Sequence, residues 1–149
     1  MTKDVLLTIS GLQFAQDMDA EPIQIVTAGS YYKKNGKHYV VYEEVMEGFE
    51  GTTKNLIKMS EDYLDITKKG VANVHMVFEK DKKNVTYYET PYGMLLIGID
   101  AEEIHIEESE DNIHVDVRYD LEANYEHLAA CRIQMNIQSK EAKNFTLQS

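Results

Sequence analysis

Apolar and polar residues alternate along most of this chain with a period of two. Val5, Leu7 and Ile9 interleave with Leu6, Thr8 and Ser10 and stop at Gly11. Further on, Val74, Met76 and Phe78 oppose Asn73, His75 and Glu79, and Ile104 and Ile106 oppose His105 and Glu107. Ile113, Val115, Val117, Tyr119 and Leu121 oppose His114, Asp116, Arg118 and Asp120; Ala129, Cys131, Ile133, Met135 and Ile137 oppose Arg132, Gln134, Asn136 and Gln138. Successive side chains of a strand point to opposite faces, so this pattern predicts antiparallel strands with one buried and one wet face.

The punctuation between these runs divides them. A polar break with Asp17, Asp19, Glu21 and Pro22 precedes a strand expected over residues 23–33. Asn35-Gly36 predicts a tight hairpin, because both central residues of a type I′ turn need positive φ, and residues 37–47 return as the third strand. Gly48 and Gly51 bracket a turn before residues 52–59, Glu61-Asp62 one before residues 63–67, and Lys69-Gly70 one before residues 71–80. A polar loop over residues 81–84 leads to strands at 85–89 and 94–99, followed by separate strands at 103–108, 113–121 and 129–138. Leu121, Tyr125 and Leu128 are also spaced for one or two helical turns; strand, loop and strand is the preferred reading, because alternation resumes on both sides.

About ten short strands at this spacing specify an all-β sandwich or barrel. A closed barrel removes the edges that such a meander leaves exposed, and hairpin-length links favour up-and-down order. The expected fold is therefore a single closed, mostly antiparallel up-and-down β-barrel of about 8–10 strands, one domain over residues 1–149.

Charge narrows the function by exclusion. Fifteen Lys and Arg against 26 Asp and Glu give a formal charge of −11. Such a chain forfeits the counterion release that drives nucleic-acid binding and is repelled by anionic membranes, so neither is expected as a partner. Residues 1–11 lack the charged and apolar regions of a signal peptide, and no apolar run approaches a membrane span. With one cysteine, Cys131, no internal disulfide forms, and the expected setting is cytoplasmic.

Candidate chemistry is sparse. Tyr87, Tyr88, Glu89, Thr90, Pro91, Tyr92 and Gly93 place three tyrosines at a strand-ending bend. Tyr88, Thr90 and Tyr92 would line a barrel mouth, or else serve as strand residues around a Thr-Pro stop. Tyr42, Glu43 and Glu44 on the third strand form the second candidate. One of the two glutamates must face inward, where a carboxylate needs a partner, and Lys58 or Lys68 is the natural one. The competing reading is an outer Glu–Lys pair. The ligand-binding set is thus Tyr42, Glu44, Lys58, Lys68, Tyr88, Thr90 and Tyr92.

No catalytic, cofactor or metal motif stands out. His105 and His114 would oppose each other across a two-residue loop, but both lie on polar faces and are expected at the surface. Residues 100–111 hold seven carboxylates in twelve positions without calcium-loop spacing and read as a solvated face. Cys131 shares the apolar face with Ile133 and Met135 and is expected to be an inert thiol.

Several of these elements together resemble the uncharacterised YwiB-like family of bacterial calycin-type β-barrels, relatives in fold of the lipocalins. They are Tyr42-Glu43-Glu44, Gly51-Thr52-Thr53 leading to Ile57-Lys58, Gly70 with Met76 and Phe78, and Tyr87 through Gly93. The family pattern carries an arginine two residues before the glycine, where this chain has Lys68, which keeps the charge but not the planar fork. The resemblance implies a lipocalin-like barrel in a bacterial cytosol and no assigned reaction. By analogy of fold it implies a cavity for a small amphipathic or apolar ligand. A protein partner, basic enough to dock on the acidic surface or on the tyrosine-bearing rim, is the alternative. An enzyme ranks last, no cofactor is expected, and the oligomeric state is expected to be monomer or homodimer.

Overall fold

Ten antiparallel strands account for the regular structure of a computed structural model that describes residues 1–11, 24–45 and 48–140. They are β1 (Asp4–Ser10), β2 (Gln24–Lys34), β3 (Lys37–Val45), β4 (Thr52–Ser60) and β5 (Tyr63–Lys69), then β6 (Val74–Glu79), β7 (Lys83–Thr90), β8 (Gly93–Glu108), β9 (Asn112–Ala123) and β10 (Glu126–Ser139). The polar break at Asp17–Pro22 lies outside the described residues, as do Ile23 and the end of the third expected strand at Met46 and Glu47. No helix among the described residues is long and apolar enough to cross a membrane.

The strand order β6-β5-β4-β3-β2-β1-β10-β9-β8-β7 is an up-and-down meander rolled until β6 approaches β7. The first and last strands pair fully, Val5 with Ser139 through Ser10 with Gln134. The seam falls instead between β6 and β7. There one antiparallel bridge, Asn73 with Glu89, fastens one end through two 2.9 Å backbone hydrogen bonds. Farther along, the Asn84 side-chain amide donates to the Val77 carbonyl at 3.1 Å. The barrel is nearly closed, and side chains complete the closure: Phe78 of β6 meets Tyr119 of β9 edge-on at 5.1 Å.

Turn chemistry follows the sequence closely. Asn35 and Gly36 both have positive φ (53° and 76°), as a type I′ hairpin requires. Asn124 and Tyr125 do the same at the β9–β10 turn, so strand, turn and strand prevails over the helical spacing there. Leu128 sits in a bulge between His127 and Ala129, which is why it falls out of phase. Gly70 takes φ 144° against the start of β4, where any Cβ would run into the Thr52 carbonyl oxygen.

Two expectations are corrected. Residues 94–108 form one long strand rather than two, because the phase change between Ala101 and Ile104 is a bulge at Glu102. The β7 strand begins at Lys83, so the expected loop at 81–84 is shorter, with Asp81 in the left-handed region (φ 60°).

Inside, the middle of the barrel is apolar and filled. Ile57, Ile66, Met76, Phe78, Ile113 and Ile133 have no water-accessible surface, and Leu7, Ile99 and Leu121 have almost none. Close packing of this kind leaves no water-sized space beside those side chains. Inward-facing polar residues are pushed to the two ends, and that is where chemistry gathers.

Candidate functional site

At one end the alternation of β3, β4 and β5 brings three polar side chains inward together. Tyr42 pairs with Asn55, Glu44 with Thr53, and Asn55 with Lys68 in the strand register. The Lys68 ammonium donates to Glu44 Oε1 at 2.7 Å and to Asn55 Oδ1 at 2.8 Å. Asn55 in turn donates through Nδ2 to the same Glu44 oxygen at 3.2 Å and to the Thr53 carbonyl at 3.3 Å. Lys68 and Asn55 are buried and Glu44 is nearly so. A buried charge survives only when paired and hydrogen-bonded, and this three-way network supplies both.

Tyr42 stands beside this network with a different status. Its side chain is 97% removed from solvent, yet its hydroxyl has no hydrogen-bond partner among the described residues. Burial and then the charge of Glu44 lift its phenol far above the ordinary value, so it stays a neutral donor. Tyr88, half-buried against the core, is raised by the same two causes in the same order. An orphaned buried hydroxyl carries a desolvation cost of about 1–3 kcal/mol.

The remaining candidates are spread more widely. Lys58 faces outward, its ammonium 5.8 Å from the ring of its cross-strand neighbour Tyr39, which stacks on Tyr32. Lys68, not Lys58, is therefore the partner of the inward glutamate, and Glu44 is that glutamate. Thr90 braces the β7–β8 turn: its Oγ1 donates to the Gly93 carbonyl at 2.8 Å and accepts from the Tyr92 amide at 3.1 Å. Tyr92 projects from that turn, 82% exposed, and meets Phe49 of the β3–β4 turn edge-on at 5.7 Å. A cleft of about 400 Å³ lies over the seam at this end, lined in part by Lys68, Val74, Tyr87 and Met94. Tyr88, Tyr92 and Glu44 do not line that cleft.

The opposite end holds a cluster that sequence reasoning missed. His38 is inward-facing and buried, with Nδ1 2.6 Å from the Tyr31 hydroxyl and Nε2 3.1 Å from Glu108 Oε2. One protonation pattern satisfies every group: Tyr31 donates to Nδ1, and the Nε2 proton points to the carboxylate. The signal was present, since His38 continues the inward set Val40, Tyr42 and Glu44.

Other candidates stay apart. On the outer face Asp65 accepts from the Tyr63 hydroxyl at 2.8 Å and lies 2.8 Å from His75 Nε2, and burial followed by the Asp65 hydrogen bond pushes the Tyr63 phenol up to about 12. His105 and His114 are not opposed, because the β8–β9 register pairs His105 with Asp116 and His114 with Glu107. Among the described residues no group of three or more His, Cys, Asp or Glu side chains is arranged to hold a metal. Burial raises the Cys131 thiol, in line with an unreactive side chain.

The fold and these sites define a ten-stranded up-and-down barrel with a dry apolar middle and a polar cluster at each end. The chain belongs to the family described as a domain of unknown function, DUF1934, whose model matches residues 7–135. It is similar to the uncharacterized beta-barrel protein YwiB of Bacillus subtilis (strain 168), 26% identical over 114 residues, covering 75% of this chain and 79% of the relative. The crystal structure of the ywiB protein from Bacillus subtilis superposes with a TM-score of 0.78 at 20% identity, covering 92% of each chain. These relatives carry the fold and no assigned reaction.

Proposed function

We propose that this protein is a non-catalytic binding module that takes a small amphipathic ligand at the barrel end holding Tyr42, Glu44, Lys68 and Tyr88. The observation that carries this reading is the Tyr42 hydroxyl, buried and unpartnered among the described residues, beside a charged network whose other members satisfy one another. A ligand oxygen accepting from Tyr42 would remove the cost of that orphan, with Tyr88 beside it at the same barrel end. The lysine–glutamate pair makes the cluster formally neutral, which favours a ligand whose polar end is uncharged. Thr90 and Tyr92 belong to this reading as rim residues. The setting proposed with it is the cytoplasm, since a chain with the lone thiol Cys131 needs no oxidising compartment.

The test is native mass spectrometry of protein purified from its own host, beside the Tyr42→Phe variant purified identically. A small molecule retained by the natural protein and lost from the variant is the expected result. Equal retention by both, or no adduct together with no thermal shift across a metabolite panel, would sink the proposal. A second reading, docking of a basic protein partner on the same rim, rests on exposed Tyr92 and Met94 together with the net charge of −11. Co-purification of a basic protein, lost when Tyr92 is changed to Ser, would favour it.

A further inference from the structure

The end of the barrel opposite Tyr42 has an opening of its own. A cavity of about 420 Å³ lies there, walled by the β2–β3 hairpin, the β4–β5 turn and the end of β8. That volume is in the range of small-molecule sites. At its wall sits the buried imidazole of His38, held between Tyr31 and Glu108.

Charge is divided between the walls by sign. Both lysines in the lining, Lys33 and Lys37, come from the β2–β3 hairpin. Both carboxylates come from the facing elements, Glu61 from the β4–β5 turn and Glu108 from the end of β8. Among the described residues Lys37 and Glu61 form no ion pair, and Lys33 and Glu108 form a loose one. Lys33 Nζ stands 3.9 Å from Glu108 Oε1, an ion pair beyond hydrogen-bond reach, so both groups keep bonding capacity for a guest. A simple anion entering this mouth meets two carboxylates, and a simple cation meets two lysines. A guest with both signs, correctly turned, meets an opposite charge on each side.

We infer that this mouth is a second binding site, specific for small zwitterions of the free α-amino-acid type. The carboxylate lies toward Lys33 and Lys37, the ammonium toward Glu108 and Glu61. Ile106, the apolar residue of the lining, takes a short aliphatic side chain. His38 acts as a positioning residue: its Nε2, 3.1 Å from Glu108 Oε2, fixes that carboxylate at the mouth with Oε1 on the side of Lys33, where a guest ammonium would compete for it. The site is independent of the one proposed at the Tyr42 end.

Isothermal titration and the imidazole NMR signals of His38 test this, with a panel of L-amino acids as probes. Each amino acid is compared with its methyl ester, which lacks the anion, and with its N-acetyl derivative, which lacks the cation. Saturable binding is expected for at least one short aliphatic member, with both singly charged analogues weaker by about fivefold, the scale of one partly exposed ion pair. Lys33→Gln and Glu61→Gln should each weaken it by about threefold, since each removes one solvent-screened contact. Tyr42→Phe should leave it unchanged. No saturation by any amino acid up to roughly 10 mM, the weak end of measurable affinity, would overturn the inference. So would equal binding of the esters, or full binding by both wall variants with the natural unfolding midpoint.

Discussion

At one end of the barrel Lys68 holds Glu44 and Asn55, and Tyr42 next to them keeps a hydroxyl that none of the described residues answers. At the other, Tyr31, His38 and Glu108 form a chain in which both imidazole nitrogens are used. The two ends share their materials, a phenol, a carboxylate and a nitrogen base turned inward on strands. They differ in what their phenols do. Tyr31 is a link in a finished chain, whereas Tyr42 is a donor without an acceptor. At the finished cluster recognition is left to the charged groups of the mouth around it, whereas at the unfinished one the buried hydroxyl itself is what a ligand would answer.

The largest effect that separates the ends comes from Lys68. Lys68→Met leaves Glu44 with its charge and little solvent, and it strips Asn55 Oδ1 of its donor. We expect a loss of about 3 kcal/mol in urea unfolding, the lower part of the range for a broken buried pair because Glu44 keeps some water. Adding Glu44→Gln to Lys68→Met should recover a large share. Lys33→Met at the other end removes a half-exposed ammonium 3.9 Å from Glu108 and should stay within about 1 kcal/mol. Equal costs for the two lysines would mean that the ends do not differ in burial as described.

Next come the phenols, where the difference is one of sign. Tyr31→Phe takes the donor from His38 Nδ1 and should cost about 1–2 kcal/mol. Tyr42→Phe takes away only an orphan and should leave the folded protein as stable or up to about 1 kcal/mol more stable. Paired chemical unfolding curves decide it. A Tyr42→Phe variant that loses as much as Tyr31→Phe would show that the Tyr42 hydroxyl already has a partner.

How much of this contrast the chain announces depends on distance along it. Strand periodicity, the Asn35-Gly36 turn and the closed up-and-down order are local signals and could be read directly. The Glu102 bulge left a mark too, since the inward set shifts from Ile97, Ile99 and Ala101 to Ile104 and Ile106. A phase slip looks the same whether a strand ends or bulges, so two strands were expected where one runs through. The choice between Lys58 and Lys68 was out of reach, because it depends on register across β3, β4 and β5. His38 was legible by parity with Val40 and Tyr42, but its link to Glu108 joins β3 to β8, seventy positions away, and no local pattern encodes that.

The smallest expected effect uses pH to compare the phenols without removing their neighbours. Burial first, then a nearby glutamate, lifts Tyr42 and Tyr31 above the ordinary phenol value, and Tyr42 is lifted further. Each folded phenol thus holds its proton more tightly than the same phenol in the unfolded chain, where ionisation occurs near pH 10. The stability this contributes is complete below about pH 10 and is lost as the pH rises toward the folded values. Replacing either tyrosine with Phe should flatten the alkaline fall of the urea midpoint. The two variants should match just above pH 10, because there only the unfolded phenols ionise. They part where Tyr31 begins to ionise in the folded protein and Tyr42 does not, and from that point Tyr42→Phe is the flatter curve. Glu44→Gln should lower the Tyr42 and Tyr88 values and leave Tyr31 in place, and Glu108→Gln should lower the Tyr31 value and leave Tyr42 in place, each read from tyrosinate absorbance at alkaline pH. If either substitution moved both Tyr42 and Tyr31, the ends would be electrostatically coupled through the dry middle, and the contrast between them would have to be redrawn.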